Sequence, residues 1–341
     1  MEVLSLSDLY KKANNKARTI FVVPLIRYNL KKTDYLYLLY QDLIETKGNY
    51  SVKPISVFSH FRFVIAALFN KDHILHYHWL EFQDLRALSA MPYKLLCIAL
   101  YHLLGGTIVW TVHNLTPHDR RYLNLHKRLH RWMGKKADIV HVHSVTAIPM
   151  VSEKFGIEPS KMVVLKHPDF PAEIHSTTKA RERFLSFFNR SKEDIQLPVL
   201  LMFGQLSAYK GIIEAITIIL SIDLPFKLWI VGPIKKGQDK LHKQIMDLCY
   251  NDERIVYIPK FIPEDRYPYL LSSADICVFN YRSILTSGGV MMARSYQRDI
   301  VAPYMGILKD YQTDSSVSLF ETDEDLYNIL QHKLTQLNGK S

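Results

Sequence analysis

Short β-branched and aromatic runs alternate with longer stretches of helical pattern from one end of the chain to the other. No other feature restricts the fold as much. Strand-like runs fall at 19–26, 52–58, 74–79, 107–113, 138–143 and 162–167, and after a break at 198–204, 226–232, 255–259, 275–280 and 300–303. Stretches of helical character lie between them, among them 34–47, 92–104, 122–136, 211–221, 238–250 and 286–296. Strand and helix in strict turn require right-handed crossovers, so the predicted class is α/β, with mainly parallel sheets covered by helices on both faces.

The alternation lapses once, at HPDFPAEIHSTTKARERF, where two prolines, a polar and charged run and the end of a strand coincide. A domain boundary is expected near Pro171, giving domains 1–172 and 173–341, with a helix from about Thr178 leading into the second. The 341 residues suit two such domains better than one core. Two doubly wound halves are expected to face each other across a cleft, with ligands at the carboxyl ends of the strands.

Composition narrows the class further. Apolar residues make up 48% of the chain, and Lys plus Arg exceed Asp plus Glu by 10. The chain is therefore globular and suited to anionic partners: a sugar nucleotide, nucleic acid or an anionic membrane surface. No basic n-region with an apolar run opens the sequence, and Cys97, Cys249 and Cys277 have neither metal-ligand nor redox spacing. The apolar run 95–112 is broken by His102 and Gly105-Gly106, which read as a helix stop before a strand rather than a membrane span. A cytoplasmic protein is expected, soluble or peripheral on the inner face of the plasma membrane.

The clearest chemical signal lies in the second half. VLLMFGQLSAYKGI is a buried strand, a glycine turn at Gly204, a polar loop, and Lys210-Gly211 opening a helix. A lysine at a helix N-terminus adds a full charge to the dipole and makes an anion site. One strand–loop–helix unit later, Thr286, Ser287, Gly288 and Gly289 open another helix, just after Arg282. Two hydroxyls and two glycines at a helix start suit a phosphate, and Arg282 is a candidate second cation. Each motif alone reads more readily as an ordinary helix start; together they favour a phosphate site.

The succession FGQLSAYKG, LWIVGP and SADICVFNYRSILTSGGVMMA ending in IVAP resembles the donor domain of GT-B glycosyltransferases, near the large family four group. In the first half, HYHW at 76–79 and WTVHNLTPH at 110–118 resemble acceptor-domain segments of bacterial exopolysaccharide and capsule transferases, the xanthan glucuronosyltransferase being one related type. The resemblance implies two Rossmann-like domains in the GT-B arrangement. It also implies transfer of a sugar from a UDP- or GDP-linked donor to a lipid-linked saccharide, with no cofactor and no essential metal. Gly204, Gln205, Lys210, Arg282 and Thr286 to Gly289 would hold the donor. The sequence departs from the family pattern where an arginine becomes Gln205 and two glutamates become Ile284 and Met292, which removes acceptors for ribose and sugar hydroxyls.

In the first half a strand delivers His113 and Asn114 to its carboxyl end, with His118 and Asp119 on the same loop. If the reaction inverts the anomeric centre, His113, His118, Asp119 or Glu81 takes the acceptor's proton. Asn114, Glu81 and His167 are candidates to line the acceptor side. His76 with His78, and His141 with His143, share strand faces but lack a carboxylate or cysteine cluster, so a metal is not expected. The stretch HDRRYLNLHKRLHRWMGKK is basic and amphipathic and is a candidate membrane contact, or equally a solvated helix packing on the sheet. No recognisable nucleic-acid module is present. A non-catalytic binding subunit and a sugar-nucleotide epimerase remain open as alternatives, and the oligomeric state is not legible.

Overall fold

A computed structural model of the chain describes residues 5–46, 49–80, 88–117, 122–190 and 195–339. It divides into two compact units, Met1–Pro168 and Asp169–Ser341. Each is built on a six-stranded, wholly parallel sheet. Glu81, His118 and Asp119 lie outside the described residues.

The first unit contains β1 (Thr19–Val23), β2 (Ser51–Pro54), β3 (His73–Tyr77), β4 (Thr107–Thr111), β5 (Ile139–Val142) and β6 (Met162–Val164), in the sheet order β2-β1-β3-β4-β5-β6. The run 52–58 is shorter as a strand than its composition suggests. It leaves the sheet at Pro54, which has no N–H to donate, and turns into a 3-10 segment at Val57–Ser59. One face of the sheet is covered by α1 (Leu6–Ala13) and α2 (Tyr35–Glu45), whose Leu9, Tyr10, Leu36 and Tyr40 pack on Ile20, Val22, Ile74, Val109 and Val163. Both helices start on side-chain caps: Ser5 with Asp8 in a reciprocal capping box, and Asp34 accepting from the Tyr37 amide.

The remaining helices of this unit are α3 (Phe61–Phe69), α4 (Met91–Leu103), α5 (Leu123–Lys136) and α6 (Ala147–Phe155). The basic helix α5 buries His126, Leu129, His130 and Met133. His130 meets Trp110 of β4 and Phe155 of α6 with ring centroids 5.1 and 5.0 Å apart. The apolar stripe of α5 is thus used for packing, and its charges form the outer side.

The second unit contains β7 (Val199–Phe203), β8 (Lys227–Val231), β9 (Ile255–Ile258), β10 (Ile276–Val278), β11 (Asp299–Pro303) and β12 (Val317–Phe320), ordered β12-β11-β10-β7-β8-β9. Its helices are α7 (Thr177–Ser186), α8 (Ile212–Leu220), α9 (Asp239–Asn251), α10 (Tyr267–Ser273), α11 (Gly288–Ser295) and α12 (Asp323–Asn338). Ile212, Ile216 and Ile219 of α8, Ile245 of α9, and Leu326, Leu330 and Leu334 of α12 bury against Leu200, Leu228, Ile230, Ile276 and Val301 of the sheet. At the opposite end from the site, buried Arg181 of α7 pairs with Asp275 and donates to the Ser273 carbonyl at 3.0 Å. Asp275 also accepts from the Val199 amide at 2.6 Å, which fixes the entries of β7 and β10 side by side.

Candidate functional site

In the second sheet the chain runs outward from β7 through β8 to β9, then returns to the other side of β7 and runs outward from β10 to β12. The direction reverses between β7 and β10. At such a switch point the loops leaving the two neighbouring strands diverge, and their carboxyl ends leave a crevice suited to ligands. The loop after β7 carries Gly204, Gln205 and Lys210; the loop after β10 carries Arg282 and leads into Thr286–Gly289. The two phosphate motifs read from the sequence therefore sit on the two strands that flank this reversal.

The Lys210 ammonium folds back over the end of β7 and donates to the Phe203 carbonyl oxygen at 3.0 Å. A Cβ on Gly204 would lie 3.1 Å from Nζ, so the bare backbone there leaves room for the ammonium. Burial lowers the Lys210 pKa to about 8. Among the described residues no carboxylate forms an ion pair with it. A desolvated cation held only by a carbonyl is a strong attractor for an anion, because the anion would repay its lost hydration.

Two glycines let the loops approach. Gly211 follows Lys210 with φ +57°, and a Cβ there would stand 2.4 Å from the Asn280 carbonyl oxygen. Asn280 in return donates from Nδ2 to the Gly211 carbonyl at 2.9 Å, joining the start of α8 to the end of β10. Gly232, at φ +141°, ends β8, and a Cβ there would collide with the Gly204 carbonyl. Further along, the Arg282 amide donates to the Tyr209 carbonyl at 2.9 Å, and the Tyr209 and Tyr281 rings stack with centroids 6.0 Å apart.

The N-terminus of α11 is built as a cap with spare capacity. Ser287 Oγ accepts from the Val290 amide at 3.1 Å and lies 2.7 Å from the buried Tyr281 hydroxyl. Beside it, Thr286 Oγ1 is buried with no hydrogen-bond partner. An orphaned buried hydroxyl costs stability, so its presence at a helix N-terminus marks a place where a ligand oxygen would be welcome. Gly288 has open space where a side chain would be, which leaves the first turn accessible.

The other donor-side residues are placed differently. Gln205 is exposed at the tip of the loop. Arg282 is exposed and its guanidinium pairs with Glu214 on α8, so its charge is already matched. Ile284 and Met292 supply no acceptor, and Met292 is buried on α11. Asn280, Tyr281, Tyr209 and Gly232 join the region without having been singled out in the sequence. Only the strand-ending position of Asn280-Tyr281 hinted at them.

The first unit gathers its histidines into one network at the carboxyl ends of β3, β4 and β5. His76 and His78, Thr111 and His113, and His141 and His143 alternate along adjacent strands, so all six point to the face covered by α1 and α2. His141 Nε2 donates to the Leu165 carbonyl at 3.0 Å and His143 Nδ1 to the same oxygen at 3.1 Å. Tyr35 donates to His143 Nε2 at 3.3 Å. Burial, reinforced by the neighbouring imidazoles, holds His76, His78, His113 and His143 well below the usual histidine range and lowers His141 to about 4. All are neutral near pH 7.

Neutrality orders the protons. With Nε2–H of His141 on a carbonyl, its Nδ1 must accept, so Thr111 Oγ1 donates to it at 2.9 Å. Thr111 then accepts from His76 Nε2–H at 2.8 Å, which leaves His76 Nδ1 as an acceptor. The hydroxyls of Tyr10 and Tyr40 each lie 2.6 Å from that nitrogen, and only one can donate to its single lone pair. Tyr40 also lies 3.0 Å from His78 Nε2, and His78 Nδ1 lies 3.3 Å from His113 Nε2. Tyr10 donates to the Tyr40 hydroxyl at 3.1 Å, so Tyr40 is the one that donates to His76; its oxygen accepts from His78 Nε2–H, and His78 Nδ1 accepts from His113 Nε2–H.

His113 is the partly exposed end of this chain, its ring stacked on Trp79 at 4.2 Å between centroids. Asn114 beside it is buried. His167 donates from Nδ1 to the Pro168 carbonyl at 2.7 Å and packs against Tyr35 with centroids 5.0 Å apart. Tyr10, Tyr35, Tyr40 and Thr111 are structural members of the site that no local spacing announces. The histidine pairs are occupied by hydroxyls and carbonyls, and no group of three or more metal-ligating side chains with suitable geometry occurs among the described residues.

Solved structures share this architecture. HepE of Anabaena, solved with UDP, superposes with a TM-score of 0.64 at 14% identity, covering 94% of this chain and 91% of that one. WaaG, a glycosyltransferase involved in lipopolysaccharide biosynthesis, gives a TM-score of 0.57 at 13% identity, over 93% of this chain and 90% of its own. The fold is that of the GT-B glycosyltransferases. In sequence, the chain is 25% identical over 263 residues to a GDP-mannose:glycolipid 4-beta-D-mannosyltransferase of Xanthomonas campestris pv. campestris, covering 75% of this chain and 68% of that protein. No family model matches the chain. The chain thus has the fold of the GT-B glycosyltransferases and is similar in sequence to a mannosyltransferase.

Proposed function

We propose that the chain moves a sugar from a nucleotide-linked donor to a lipid-linked saccharide acceptor in the synthesis of a cell-surface polysaccharide. The observation that carries the donor half is the switch point of the second sheet. There a desolvated ammonium, an open helix N-terminus and an orphaned threonine hydroxyl sit on the loops of β7 and β10. A nucleoside diphosphate offers the negative oxygens that all three lack. As the glycosidic bond to the diphosphate breaks, negative charge grows on the leaving phosphate, and Lys210 with the α11 dipole stabilises it without a metal or cofactor.

The mannosyltransferase relative favours a GDP-linked donor and a glycolipid acceptor, while the UDP-bound neighbour favours a uridine nucleotide. The base is therefore an arm of the test. In the first unit His113 is proposed to take the acceptor's hydroxyl proton: it is neutral, partly exposed, and backed by His78. Asn114 and His167 are proposed to contact the acceptor sugar. Among the described residues no helix is long and apolar enough to cross a membrane, so a peripheral contact is the proposed route to a lipid acceptor.

The test is turnover. The purified protein is incubated with GDP-mannose or with UDP-linked sugars and a polyprenyl-diphosphate-linked saccharide, and released nucleotide and extended glycolipid are followed by mass spectrometry. Coupled appearance of both products supports the reading. Nucleotide binding without any extended lipid would favour a non-catalytic subunit, for which the missing acceptors at Ile284 and Met292 speak. An isomerised donor would favour an epimerase.

A further inference from the structure

Helices α3 and α4 of the first unit carry a continuous apolar face that no described part of the chain covers. On α3, Phe61, Ile65, Leu68 and Phe69 recur at helical spacing and are exposed, while Phe63 and Ala67 point to the core. Phe58 precedes them and is 87% exposed. On α4, Leu96, Leu100 and Leu103 form a second exposed stripe, with Cys97, Ile98 and Tyr101 buried beneath.

The two stripes lie side by side because the helices are tied at both ends. At the start, Tyr93 of α4 donates to the Phe58 carbonyl and accepts from the Phe61 amide, each at 3.3 Å. At the finish, the Lys71 ammonium donates to the Ala67 carbonyl of α3 at 2.8 Å and also to the Leu104 carbonyl that closes α4. The helices therefore run parallel, and Phe69, 81% exposed, and Leu103, 75% exposed, lie at the ends that Lys71 ties together. Single exposed leucines need no explanation, but a cluster of large side chains on two coupled helices marks an interaction surface.

The charge around the face selects the partner. Exposed Lys53, Arg62 and Lys71 belong to this segment, whereas Lys94 is buried, and Asp72 is the one acidic residue among described residues 49–80 and 88–117. Aromatic and aliphatic side chains flanked by cations, with almost no negative charge, match the interface of an anionic bilayer. We infer that the α3–α4 face is the membrane-docking surface of this protein, with Phe58, Phe69 and Leu103 entering the acyl boundary. The more basic helix α5 packs its buried stripe on Trp110 and Phe155, leaves only Leu123 and Leu125 of its first turn exposed, and contributes chiefly long-range attraction. The docking surface rests on the lipid-linked acceptor reading for its purpose alone.

Flotation with vesicles of phosphatidylglycerol and phosphatidylcholine tests it on the full chain. The wild type floats with anionic vesicles; the exposed-site variant Phe69→Ser with Leu103→Ser weakens partitioning by about tenfold or more, from the lost apolar burial. That variant still binds nucleoside diphosphate, which separates failure of docking from failure of the donor site. Lys127→Gln with Arg131→Gln on α5 retains most of the vesicle binding. The inference is overturned if the wild type stays unbound, if the serine variant floats like wild type, or if the α5 variant alone abolishes binding. It is also overturned if the face instead drives self-association, seen as a dimer that the serine variant makes monomeric with no change in flotation.

Discussion

Lys210 Nζ lies 3.0 Å from the carbonyl oxygen of Phe203, the last residue of the strand from which its own loop departs. The chain thus turns a lysine back onto the end of a central strand, where it is desolvated and lacks a carboxylate partner among the described residues. Such a cation is costly unless something anionic arrives.

The pH profile of kcat/KM is expected to be a bell. Its alkaline limb falls near pH 8, where Lys210 loses the charge that attracts the donor. Its acid limb falls below the ordinary histidine value of 6.5, because His113 stays neutral until its lowered pKa is reached. Initial rates from pH 4.5 to 10 check both limbs. An acid limb above pH 7 would remove His113 from the base role.

Thr286→Val separates stability from function. The hydroxyl has no partner, so an isosteric methyl relieves the unpaired group and raises unfolding free energy by about 1–3 kcal/mol. Donor affinity moves the other way, falling several-fold. Urea unfolding and nucleotide titration on the same sample read the two effects. A variant that is destabilised, or that binds donor normally, contradicts the assignment.

The histidine network makes the first unit acid-sensitive. His60, His76, His78, His113, His141 and His143 all have lowered values because they are buried. Below their unfolded value the unfolded chain binds more protons, so stability is full above about pH 6.5 and declines as pH falls toward the folded values. Each contributes a slope of up to about 1.4 kcal/mol per pH unit. Chemical denaturation at pH 7.5, 6.0 and 5.0 measures it. A flat dependence would show that these imidazoles are not neutral in the folded chain.

Tyr10→Phe and Tyr40→Phe are expected to differ. Without Tyr40 the His78 Nε2 loses its buried partner, at about 1–3 kcal/mol. Without Tyr10, Tyr40 keeps its donation to His76 and still accepts from His78 Nε2–H, so His113 still donates from Nε2 to His78 Nδ1. Nitrogen-15 shifts of labelled histidine should show the Nε2–H tautomer at His113 in both the wild type and Tyr10→Phe. The Nδ1–H form there would refute the proton order.

Much of this was readable from the chain. Every strand-like run became a strand, because β-branched runs between turn residues have few other ways to bury both faces. Val317–Phe320 stood outside that pattern: four residues at a sheet edge, two of them only partly buried, carry little signal. The proposed donor motifs at Lys210 and Thr286–Gly289 were visible because each is local, a loop feeding a helix. The histidine network was half visible. The paired spacing of 76/78 and 141/143 showed a shared face, but the tyrosines that satisfy them come from α1 and α2, 66 and 36 residues away respectively for the two His76 contacts. The exposed face of α3 was hidden for a different reason: FRFVIAALF is apolar all round, so composition cannot say which side is covered.

Titration of GDP and of UDP into wild type and Lys210→Met at pH 7 tests the central claim, that the switch point of the second unit holds the donor diphosphate. Binding of at least one nucleotide by the wild type is predicted, weakened by about tenfold to a hundredfold in Lys210→Met, as expected for losing a charge-assisted hydrogen bond. No heat from either nucleotide, or equal affinity in the folded variant, would contradict it.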